Sequence, residues 1–153
     1  MSETLLSWAI ARNAAVMSNQ QLSDYIVEKT NVYIDQFVIS SWQNGWSYPT
    51  SKMQRDALVN TFGYRSYGQF LIPNVSQAMS VLFVATKMGM SADTLRSIRL
   101  RPKVQEQLMT QMREAIDITG NELAAVGVAI SFWSNFCTKK HPVMLIKQFL
   151  KKG

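Results

Sequence analysis

Val81 to Arg101 reads VLFVATKMGMSADTLRSIRLR, and its spacing predicts two short helices joined by a tight turn. Val84, Met88, Leu95 and Ile98 fall where the two helices would touch. Ala85 is small enough for a close crossing, and Gly89, followed by apolar Met90, allows the positive φ of a sharp corner. Ser91 can accept from the free amides of the second helix, with Asp93 and Thr94 near the positive end of its dipole. Such a pair of helices, with no run of alternating polarity long enough to demand a sheet, points to an all-α chain of eight to ten short helices.

Charge singles out the same stretch. Residues 1–80 hold five basic and five acidic side chains, whereas from residue 81 onward eleven basic residues face five acidic ones, so the whole net charge of +6 lies in the second half. A local basic surplus beside a helical hairpin suits a polyanion-binding face.

At MGMSADTLRSI the sequence resembles the helix-turn-helix of bacterial and phage transcriptional regulators. The resemblance implies a recognition helix over Ser91 to Leu100 that enters the major groove of duplex DNA. Ser91, Ala92, Asp93, Thr94, Arg96 and Ser97 would meet base edges, with Arg96 able to pair bidentately with a guanine. Lys87, Arg99, Arg101 and Lys103 would neutralise phosphates. A single helix reads few bases, so a homodimer or a partner subunit is expected. The competing class is a protein-interaction or adaptor module that docks the same basic helix on an acidic partner.

Upstream, Ser2 to Met17 reads as a helix with Leu5, Trp8, Ala9 and Val16 on its apolar face. Ser18 and Gln21 have the spacing of a capping box, opening a helix through Leu22, Tyr25 and Ile26 to about Lys29. Thr30 to Ile34 reads as a loop. Asp35 can cap a helix docked through Phe37, Val38, Ser41 and Trp42 and stopped by Gly45. Ile39, Trp42, Gly45 and Pro49, then a helix through Ala57, Leu58 and Phe62, resemble the recognition helix, exit turn and following helix of phage-repressor domains. This resemblance makes Gln36, Ser40 and Gln43 an alternative set of DNA contacts. The segment departs from the repressor pattern in a longer corner without glycine, and residues 18–48 carry one lysine against three acids.

Tyr64 to Asn74 mixes Gly68, Pro73 and aromatics and is the best boundary, giving a repressor-like unit over 1–70 and a basic helical unit over 71–153. Asn74 can cap a helix buried through Val75, Met79, Leu82 and Phe83. Pro102 would start a helix from Lys103 to Ile118 with Val104, Leu108, Met112, Ala115 and Ile116 as its stripe. Gly120 ends it and Asn121 caps the next, Glu122 to Phe136, an apolar core or dimer helix too short and polar to span a membrane. Val143 to Gly153 reads as a short cationic helix.

Catalytic groups are sparse. There is no glycine-rich phosphate loop, and a second histidine to join His141 at a metal site is absent from the sequence. Cys137 is the lone cysteine and suits a reducing cytoplasm. The opening residues carry an acid where a secretion signal needs basic residues. No enzyme and no cofactor are expected; the expected partner is duplex DNA, with no membrane.

Overall fold

The computed structural model describes residues 4–73 and 102–140, and among these every regular element is a helix. In chain order they are α1 (Leu5–Ala14), α2 (Asn19–Thr30), α3 (Gln36–Gln43), α4 (Lys52–Phe62), α5 (Tyr67–Leu71), α6 (Pro102–Thr119) and α7 (Leu123–Lys140). The all-α class follows. The hairpin expected at 81–101 and the tail from 141 lie outside the described residues.

Short polar side chains set the helix starts. Thr4 and Ser7 form a reciprocal capping box at α1, Ser18 and Gln21 another at α2. Asp35 accepts from the Phe37 amide at 2.7 Å, while Ser51 and Ser66 cap α4 and α5. α1 is shorter than the expected 2–17: its cap is Thr4, the chain turns after Ala14, and Val16 is 95% exposed. Thr30 belongs to α2, its hydroxyl donating to the Ile26 carbonyl.

α1 packs against α3 and α5, and α2 against α3 and α4. α5 joins this group to α6, which packs along α7. Thus Tyr67, Phe70, Leu71 and Ile72, in the stretch that reads as a boundary, are buried in the same core as Leu6, Ile10, Leu58, Leu108, Met112 and Ile116. The Phe70 ring stacks on Phe62 at 5.9 Å and meets the edge of Tyr64 at 5.4 Å. Polar bonds pin the short helix from both sides. Gly68 donates to Asp117 at 2.7 Å, Arg12 to the Phe70 carbonyl at 3.0 Å, and Arg113 to the carbonyls of Ile72 and Pro73. A Cβ at Gly68 would lie 2.4 Å from the Arg113 carbonyl oxygen, so this crossing requires glycine.

The α6–α7 corner follows its expected signals. Gly120 adopts φ 71°, and Asn121 accepts from the Leu123 amide at 2.9 Å. The buried edge of α7 is Ala125 and Ala129, small residues that allow close approach, while Leu123 faces outward. Glu122, just before α7, is 1% exposed and reaches across to α1. Its two carboxylate oxygens accept from the amides of Leu5 and Leu6 at 2.8 and 3.0 Å. With Ser7 donating to the Thr4 hydroxyl and Trp8 to the Thr4 carbonyl, the first turn of α1 is fully bonded.

Two consequences can be measured. Glu122→Ala leaves two amides near the core without their acceptor, and it should lower unfolding free energy by about 3 kcal/mol in urea denaturation. Burial, followed by the negative charge of Glu122, pushes the Tyr67 phenol well above its ordinary value of 10.0, with Arg55 opposing. The raised folded value means that stability is fully present below pH 10 and falls as pH rises beyond it, by about 1.4 kcal/mol per unit. Tyr67→Phe should flatten that alkaline decline.

Candidate nucleic-acid interface

α2 and α3 pack against each other and are joined by residues 31–35. The missing corner glycine is replaced by Asn31, which takes the left-handed conformation at φ 59° and donates its amide to the Val27 carbonyl at 2.8 Å. Asparagine tolerates this region better than other non-glycine residues, so the sequence can close α2 without glycine.

Side chains stiffen the extra length of the corner. The buried Ser23 hydroxyl donates to the Ile34 carbonyl, and the Thr30 hydroxyl accepts from the Val32 amide at 3.2 Å. Ile34 is itself buried, anchoring the loop just before Asp35 caps α3.

α3 docks through Ile39 and Trp42, both inaccessible. The expected docking face through Phe37, Val38 and Ser41 is corrected here. Phe37 is 75% exposed, Val38 is exposed, and the Ser41 hydroxyl pairs with that of Ser47 at 2.6 Å. An i, i+3 pair is enough to seat an eight-residue helix, so Phe37 on the far side is released.

Gln36, Ser40 and Gln43 recur at i, i+4 and i+7 on one half-buried strip beside Phe37. The exit is ordered by Asn44, whose side chain donates to the Ser40 carbonyl at 2.9 Å, and by Gly45 at φ 73°. Beyond it the Trp46 side chain is 72% exposed. Tyr33, just before α3, is exposed and donates its hydroxyl to Asp35, which together with that carboxylate's charge raises its pKa. Tyr33, Phe37 and Trp46 were not among the expected contacts: Phe37 reads as a docking residue of the helix, and Tyr33 and Trp46 fall in the loops on either side of it.

Residues 18–48, which include α2 and α3, carry one lysine against three acids. Lys29 sits 5.5 Å from the centroid of the Tyr25 ring, and Gln20 donates to Asp24 at 2.9 Å. Of the basic set, Lys103 is exposed in the first turn of α6, while Lys87, Ser91, Ala92, Asp93, Thr94, Arg96, Ser97, Arg99 and Arg101 lie outside the described residues. Among the described residues no three His, Cys, Asp or Glu side chains gather to hold a metal ion, and no helix is long and apolar enough to cross a membrane.

The corner makes its own prediction. Asn31→Gly should be nearly neutral, whereas Asn31→Val should cost about 1–2 kcal/mol in thermal or urea unfolding, because a β-branched residue resists the left-handed region. No family model matches this chain, and no curated protein or solved structure matches it.

Proposed function

We propose that the chain is a sequence-specific regulator of transcription that binds duplex DNA, works in the cytoplasm of a bacterium or is encoded by a phage or mobile element, and acts as a symmetric dimer. The observation that carries this reading is α3: it is fixed by Ile39 and Trp42 and carries Gln36, Ser40 and Gln43 on a half-buried polar strip along its flank. An α-helix about 10–12 Å across fits a major groove of about 12 Å, and amide side chains suit the donor and acceptor pattern of adenine. The basic residues Lys87, Arg99, Arg101 and Lys103 would supply what α3 lacks, neutralisation of phosphates.

A protein-docking module is the second reading. It is favoured by the exposed rings of Tyr33, Phe37 and Trp46, since aromatics of this kind are enriched at protein interfaces.

Fluorescence anisotropy with labelled duplexes separates the two. Gln36→Ala and Gln43→Ala should each lose roughly 1–3 kcal/mol of discrimination between duplexes, while Arg99→Ala should weaken binding to all of them and reduce the salt slope by about one. If Arg96→Ala instead abolishes discrimination and the glutamine variants keep it, the reading helix is Ser91 to Leu100. Absence of duplex binding at low salt removes the DNA reading and leaves the docking module.

A further inference from the structure

α3 has the sequence QFVISSWQ, without a charged residue. It can make neither the arginine or lysine pairing with guanine nor the carboxylate pairing with the cytosine amino group. Any base readout by this helix is confined to amide, hydroxyl and apolar contacts.

The leading residues of a recognition helix are those that meet base edges. Here they are Gln36, half-buried, and Phe37, whose ring is largely in solvent. The one charge at this end, Asp35, has both oxygens engaged within the chain, one by the Phe37 amide and the other by the Tyr33 hydroxyl at 3.1 Å. The carboxylate therefore fixes the first turn, and with it the position of Phe37. In the major groove the apolar group on a base edge is the thymine methyl, and the partner adenine offers the acceptor and donor that a glutamine amide matches.

We propose that Gln36 and Phe37 read A·T pairs, Phe37 by packing its ring on a thymine 5-methyl group and Gln36 by pairing with an adenine edge. This rests on the DNA-binding reading above and names the base chemistry of that site. Because α3 brings no cation, the methyl contact releases no counterions, so its contribution is the same at low and moderate salt while total affinity falls.

The test starts from a random-sequence duplex library selected on the full-length wild-type chain. In the enriched duplex each thymine is replaced singly by deoxyuridine, which deletes the methyl and keeps the base pairing. One or two positions should weaken wild-type binding about fourfold, the worth of one buried methyl group of about 0.8 kcal/mol, with the same ratio at both salt concentrations. In Phe37→Ala that ratio should fall to one, and in Phe37→Leu it should persist in part. Phe37 is exposed, so the urea midpoint of Phe37→Ala should match wild type. Enrichment without methyl-sensitive positions, or methyl sensitivity undiminished in Phe37→Ala, overturns the proposal and assigns the exposed ring to a protein partner. Failure to enrich any duplex overturns the DNA-binding reading itself.

Discussion

A buried carboxylate on the first two amides of α1 is the constraint around which this fold is arranged. Placing a charge in a protein interior is costly unless it is matched by donors, and Glu122 obtains two of them from a helix N-terminus, where the aligned peptide dipoles add a favourable potential. The bond joins groups more than a hundred residues apart. It locks the corner between α6 and α7 to α1, and α1 in turn supports α3 and α5. Tyr48, on the return from α3 to α4, feels the same charge, its phenol pushed upward by burial and by Glu122.

Rigidity at α3 comes from a different source. The corner before it runs over residues 31–35, and a loop of that length has freedom to lose on folding. Ser23, Thr30, Asn31 and Asp35 each spend a side chain or an unusual backbone angle on that loop. The helix that follows can therefore be short without being loosely held. Its exposed side chains are Phe37 and Val38, beside the half-buried Gln36, Ser40 and Gln43, and the helix carries no cation.

What the sequence made legible was mostly local. Caps and stops act over three or four residues, so Ser18 with Gln21, Asp35, Pro102, Gly120 and Asn121 mark helix ends that the structure places at or within a residue of the expected ones. The apolar stripe of α6 was equally readable because Leu108, Met112 and Ile116 recur on one face. Long-range features left no such trace. Glu122 reads as an ordinary first-turn acid until the N-terminus of α1 is brought to it. Gly68 and Pro73 read as marks of a boundary between two helical units, although glycine is there for the close passage of Arg113. Phe37 misleads because hydropathy records what a side chain prefers, whereas its exposure is decided by Ile39 and Trp42 taking the available space.

The grip of Arg113 on the carbonyls of Ile72 and Pro73 has a consequence for how the chain can be divided. It fixes the point where the chain leaves α5 against the middle of α6, eleven residues along from Pro102, or about 16 Å at 1.5 Å per residue. Both ends of residues 74–101 are thus anchored on one scaffold. A bridge of about five fully extended residues would span that distance. The two described stretches on either side of residues 74–101 form one framework, joined by Arg113 to the end of α5 and by Glu122 to the start of α1.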